Sequence, residues 1–199
     1  LNNTWRYNQN GPAYDSTWAQ TAHAVGGSGV DLWASGTGAL AYENSATVAI
    51  GTPLRFPNSN SPYVITYYFE TEFNVTPSQL ANLATLKIKH ALDDGAVIYI
   101  NGQEATRINM PATGAITSST LASAGVEAGT ALSAYVPLPT AALVAGTNRL
   151  SVEVHQNAAG NSDVVWGAQL DMDISEPVPG AAPPVRLNEM PAATEAQWW

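Results

Sequence analysis

Between Tyr63 and Val75 the chain alternates: Tyr63, Ile65, Tyr67, Phe69, Phe73 and Val75 share one face, and Thr66, Glu70, Glu72 and Asn74 share the other. A period of two marks a strand with one side buried. Thr76-Pro77-Ser78-Gln79 then predicts a short helix, with Thr76 as N-cap and Pro77 in the first turn. Alternation resumes over Ala84–Leu92, where Leu86, Ile88, His90 and Leu92 oppose Lys87 and Lys89. Asp93-Asp94-Gly95 is a turn signal, and the apolar run Ala96–Ile100 predicts a buried central strand. Asn101-Gly102 predicts a tight hairpin that returns Gln103–Arg107 beside Val97–Ile100. Pro111–Gly129 is small and polar and predicts a long loop, followed by a short strand over Ala134–Leu138. Pro139–Ala145 predicts a helical turn or two, ended by Gly146. Arg149–Gln156 alternates again, with Leu150, Val152 and Val154 on one face. The last long strand is Val164–Ile174, with Val164, Trp166, Ala168, Leu170, Met172 and Ile174 inward and Gln169, Asp171 and Asp173 outward.

Many strands, few helices and long connections predict an all-β fold, a two-sheet antiparallel β-sandwich of jelly-roll form with one or two short helices. Residues 1–176 are expected to form that domain. Residues 177–185, with Pro177, Pro179, Pro183 and Pro184, read as a stiff linker. Residues 186–199, ending in Trp198-Trp199, read as the start of a truncated following domain. The chain begins with Leu and shows no signal peptide, so it reads as a processed or excised fragment.

Composition narrows the function classes. The net charge is -9, and the seven basic residues are scattered, which argues against a nucleic-acid partner. Charged residues are only 12% of the chain, so its surface relies on hydroxyl and amide groups, which suit contact with neutral glycans. The absence of Cys excludes disulfides, zinc–thiolate sites and thiol catalysis. No apolar run approaches the ~20 residues that span a bilayer.

Two segments carry a family likeness. Asp93-Asp94-Gly95-Ala96-Val97-Ile98-Tyr99-Ile100-Asn101-Gly102 resembles the "DG, apolar strand, NG" segment of galactose-binding-like domains. Leu143–Gln156 resembles their "L-x-x-G-x-N-x-L-x-V-x-V" segment. Tyr67-Tyr68-Phe69 with Phe73, and Ser162-Asp163, complete a pattern similar to a jelly-roll module of large secreted bacterial proteins, akin to carbohydrate-binding modules. Arg186–Met190 with Trp198-Trp199 resembles the opening of a lamin-tail-type domain. The resemblance implies a galactose-binding-like sandwich, a secreted or cell-surface location, and a structural Ca²⁺ near the terminal strands. Its motif residues have structural roles in turns, so the signature speaks for fold before function.

Candidate chemistry follows. Trp18, Trp33 and Tyr14 lie in Gly- and Ser-rich segments from which loops could present them to a sugar ring. The alternative is that they cap the core, as Trp166 on an inward strand face is expected to do. Arg107 and Asn109 follow the hairpin, and His155 and Gln156 end a strand. Together they form either the polar half of a glycan site or a network tying loops to strands. Calcium ligands are sought in Asp171, Asp173 and Glu43, with Asp31 and Asn44 in reserve. Adjacent Asp93 and Asp94 do not flank a substrate as a glycosidase pair does, and Glu70, Glu72 and Glu153 read as sheet-face groups. The expected function is a non-catalytic carbohydrate-binding module that directs a linked enzyme or surface protein to a polysaccharide, not an enzyme. Its partners would be that glycan and the neighbouring domains. The alternative is a structural or adhesive spacer with no small ligand.

Overall fold

The computed structural model describes residues 2–45, 47–55 and 63–175. The strands are β1 (Thr4–Asn8), β2 (Ala34–Thr37), β3 (Leu40–Tyr42), β4 (Thr52–Pro53), β5 (Thr66–Val75), β6 (Leu83–Asp93), β7 (Gly95–Ile100), β8 (Gln103–Ile108), β9 (Val136–Leu138), β10 (Gly146–His155) and β11 (Val164–Ile174). Helix α1 (Pro77–Ala81) and two 3-10 turns complete the described regular structure. The first sheet has the order β2-β1-β5-β10-β7-β8 and the second β4-β3-β11-β6-β9. All pairings are antiparallel except the short β3–β4 contact. The domain is an all-β, two-sheet sandwich. The expected linker 177–185 and following domain 186–199 lie outside the described residues.

The core sits between the sheets. The first contributes Trp5, Tyr67, Phe69, Ile98, Leu150 and Val152, the second Leu40, Leu86, Ile88, Leu92, Val164 and Trp166. The inward positions read from the alternation of β5, β6, β10 and β11 are therefore correct, apart from Ile174, which is 41% exposed at the strand end.

Local signals acted as expected where they are self-contained. Thr76 Oγ1 accepts from Gln79 N, and Gln79 Oε1 accepts from Thr76 N, closing a capping box on α1. Asn101 and Gly102 both take positive φ, at 49° and 81°, and join β7 to β8. Gly102 is required twice over, because a Cβ there would lie 2.8 Å from Gln20 Cα. Gly102→Ala is expected to cost about 2 kcal/mol. A urea midpoint equal to that of the wild type would contradict this.

The helix expected over Pro139–Ala145 is instead a turn, with Leu143 N donating to Thr140 O. Asn148 explains the difference: its side chain accepts from Val144 N and donates to Val144 O, satisfying the backbone without helical bonds. The turn read at Asp93-Asp94-Gly95 is a crossing between the sheets. It carries the chain from β6 in the second sheet to β7 in the first.

The half-buried reading of β5 also needs correction. Its outer residues Thr66, Tyr68 and Glu70 are as buried as its inner ones. Loops from residues 11–33 and 110–122 fold over the outside of the first sheet, where Trp18, Trp33, Tyr68, Tyr99, Met110 and Ile116 form a second apolar cluster.

Candidate functional site

That second cluster decides the fate of the expected glycan site. Trp18 and Trp33 are 5% and 3% exposed. Neither ring offers a face to a sugar, which corrects the expectation that loops present them. Trp33 Nε1 donates to Tyr14 Oη, and Tyr14 Oη to Asp31 Oδ1. His23 stacks on Trp33 with ring centres 4.4 Å apart. Glu70 anchors the loop from beneath, receiving His23 N at 3.0 Å, its Nδ1 at 2.9 Å and Arg6 Nη2 at 3.3 Å. Burial pushes the Glu70 carboxyl up, but the His23 hydrogen bonds outweigh it and hold the group below the usual carboxylate range. Aromatic residues in Gly-rich sequence thus serve as the apolar underside of a loop, because the sheet beneath them is itself aromatic at Tyr68 and Tyr99.

The polar candidates are likewise engaged internally. Arg107 pairs with Glu104 and donates to the carbonyls of Pro111 and Gly114. His155 is fully buried, its Nδ1 within 3.0 Å of Thr66 Oγ1 and 2.8 Å of Thr120 O. Asn109 donates to Asp94 O and Ala124 O, and Gln156 Nε2 to Asp163 O. The structure brings Asn109 and Gln156 to one end of the sandwich, as scaffolding and not as an open polar surface.

The scaffold has a clear centre. Asp94 is 2% exposed, and its carboxylate accepts three hydrogen bonds: Val126 N at 2.8 Å, Asn157 N at 2.8 Å and Asn161 Nδ2 at 2.6 Å. These draw two long loops to the β6–β7 crossing. A small apolar cluster of Ala39, Ala41, Val48, Ala91, Ala128 and Val165 seats the loop that carries Glu127, and the loop after β3, on the outside of the second sheet.

The result is a group of four carboxylates, Glu43, Asp93, Glu127 and Asp163, with one oxygen from each within 4.8 Å of all the others. Register explains the meeting. Val165 pairs with Asp93 on one side and with Ala41 on the other, and Val164 pairs with Tyr42, so Glu43 and Asp163 follow at the same sheet end. Glu127 arrives on the loop held by Asp94. Burial, then the neighbouring carboxylates, push the Asp93 carboxyl up to about 8. Asp163 is also raised, by burial first and then by Glu43 and Glu127. Oxygen-only, anionic donors suit a hard cation such as the expected Ca²⁺.

The calcium ligands sought in sequence are mostly elsewhere. Asp173 pairs with Lys87 and accepts from Thr85, while Asp171 accepts from Tyr135 Oη and Gln169 Nε2. Both lie on the outer face of the second sheet and take no part in the acidic group. Only Glu43 belongs to it. Asp93, Glu127 and Asp163 were missed. The available signal was modest: alternation puts Asp93 outward at the end of β6, and Asp163 directly precedes β11.

That outer face holds one further arrangement. Tyr135 is 43% exposed, the most exposed aromatic ring among the described residues. Lys87 and Lys89 Nζ lie 4.7 and 4.4 Å from its ring centre. Its hydroxyl is fixed on Asp171 at 2.7 Å.

Fold and site together define a β-sandwich module built around loop anchorage at one end. No family model and no curated protein matches the sequence. Among solved structures, a β-glucuronidase of Bifidobacterium dentium complexed with coumarin-3-O-glucuronide is similar over 78% of this chain and 19% of that one, at 16% identity and a TM-score of 0.45. An uncultured Clostridium sp. β-glucuronidase shows 17% identity over 78% of this chain and 21% of that one, with a TM-score of 0.44. The Ruminococcus gnavus β-glucuronidase in complex with uronic isofagomine shows 15% identity over 78% and 20%, with a TM-score of 0.41. The chain spans about a fifth of these enzymes' length. Likeness of this degree carries no function across.

Proposed function

We propose that this domain is a non-catalytic glycan-binding module of the galactose-binding-like kind, carried by a secreted or cell-surface protein, and that it meets its polysaccharide on the outer face of the second sheet. The observation that carries this reading is the exposed Tyr135 ring set among Lys87, Lys89, Gln169 and Asp171. An aromatic face takes the C–H side of a sugar, and neighbouring amide, ammonium and carboxylate groups bind its hydroxyls. Strands β6 and β11 hold the four polar residues, and Tyr135 directly precedes β9 beside them, on an open surface that an extended chain can lie across. Glycoside hydrolysis sets two carboxyl groups about 5–9.5 Å apart across the substrate. Glu70 and Glu153, on the first sheet, are sealed beneath loops and out of a substrate's reach.

Affinity electrophoresis against soluble plant, algal and microbial polysaccharides tests the reading. The wild-type chain is expected to be retarded by at least one of them. Tyr135→Ala is expected to weaken that binding at least about tenfold, with little change in melting temperature because the ring is on the surface. Absence of retardation throughout the panel overturns the proposal. The second reading, a spacer without a small ligand, is favoured by the burial of Trp18 and Trp33, and it gains if the panel is silent.

A further inference from the structure

We propose that Glu43, Asp93, Glu127 and Asp163 form a calcium site that clamps loops onto the end of the second sheet. This stands apart from the glycan reading and needs none of its residues.

Geometry is the first support. Ca²⁺ binds oxygen at 2.3–2.6 Å, so ligands on opposite sides of one ion lie roughly 4.6–5.2 Å apart and adjacent ones closer. Four carboxylates with one oxygen each inside a mutual 4.8 Å fit that sphere. Mg²⁺ dehydrates reluctantly and is usually held by one or two carboxylates with several waters, so a four-carboxylate group suits it less well. Zinc favours nitrogen and sulfur donors, which the group lacks.

The second support is independent of the clustering. Asp93 is 1% exposed, yet its Oδ1 has no hydrogen-bond partner. A buried carboxylate oxygen without a donor is costly, and native folds satisfy such groups with a proton donor or a metal. The contrast with its neighbour is informative. Asp94 faces the loops and takes three donors, whereas Asp93 faces Glu43, Glu127 and Asp163, none of which is a cation. Glu43 repeats the pattern: its Oε1 accepts from Ser45 N, while its Oε2 is buried with no partner. Among the described residues no Lys, Arg or His forms an ion pair with any of the four.

The third support is construction. Asp94, Asn109 and Gln156 hold the backbone that carries Glu127 and Asp163. Buried side chains are thus spent on bringing like charges together, an arrangement that a divalent cation converts from repulsive to attractive. The ligands come from the loop after β3, the end of β6, the loop before β9 and the residue before β11. One ion therefore ties together segments up to 120 positions apart.

The test uses the whole 199-residue chain, stripped with EDTA and titrated with CaCl2 or MgCl2. Calorimetry is expected to show one calcium site, with magnesium markedly weaker. At calcium a hundredfold above Kd, Tm is expected to rise on the order of 5 °C or more. Asp93→Asn and Glu127→Gln are expected to bind calcium at least about tenfold more weakly. In EDTA both should melt no lower than the wild type, since each relieves repulsion. Asp173→Asn, the same charge change among the other acidic residues, is expected to keep the full calcium response. No heat and no Tm shift for the wild type overturns the proposal. So does wild-type affinity in Asp93→Asn and Glu127→Gln, or an equal loss in Asp173→Asn.

Discussion

Trp166→Ala is expected to destabilise the domain by about 3–5 kcal/mol, the range for removing a large aromatic side chain from a packed core. Trp166 is fully buried in β11. Trp5 meets it edge to face at 5.9 Å, and Phe69 lies at 6.4 Å, so one side chain of the second sheet bridges two strands of the first. Its strand neighbours are Leu92 and Leu40. Rigid sheets on both sides limit collapse into the space left behind, which places the cost toward the upper end. Domains of this size have total stabilities of about 5–15 kcal/mol, so the variant should lose a large share of its stability and melt roughly 10 °C lower or more. Urea unfolding followed by circular dichroism measures this. A loss under about 1 kcal/mol would mean that the two sheets do not pack through this ring.

Asp94→Ala is expected to cost about 3 kcal/mol and to disperse the acidic group as well. The substitution leaves Val126 N and Asn157 N without their acceptor and removes the Asn161 contact. Hydrogen bonds to a charged group contribute about 1.5–3 kcal/mol each, though losses at one shared acceptor do not add fully. Asp94→Asn keeps one acceptor oxygen and is expected to lose about half as much. Hydrogen exchange locates the effect: amides 124–127 and 157–163 should lose protection while the central strands β5 and β10 keep theirs. The stabilisation by calcium should shrink in Asp94→Ala, because Glu127 loses its anchor. Uniform loss of protection across both sheets would show that Asp94 supports the whole sandwich and not these loops.

The legible part of the candidate site was its scaffold. Asn109 and Gln156 were singled out by residue type, and the structure gives both positions beside the acidic group, in roles that hold backbone. Asp93 and Asp94 look alike in sequence as two residues of one turn. They differ only because the chain crosses between sheets there, turning one carboxylate toward loop amides and the other toward three carboxylates. Nothing in the local sequence sets Tyr135 apart from the other seven tyrosines. Tyr135 directly precedes edge strand β9, whose register sets Val136 against the inward Ile88, so Tyr135 falls on the outward face with Lys87 and Lys89.

Sequence alone determined the elements whose causes are local. Alternation placed β5, β6, β10 and β11 and their inward faces, Thr76 and Gln79 capped the helix, and Asn101-Gly102 closed the hairpin. Each depends on residues within a few positions of one another, bound by backbone geometry that is the same in any fold. Tertiary structure alone decided what covers the outer faces. Trp18 and Trp33 are buried because a loop returns over the first sheet, and Glu43, Asp93, Glu127 and Asp163 meet because strand register brings distant segments to one end. Periodicity describes the two sides of a strand and carries no information about which loop comes back to lie on them.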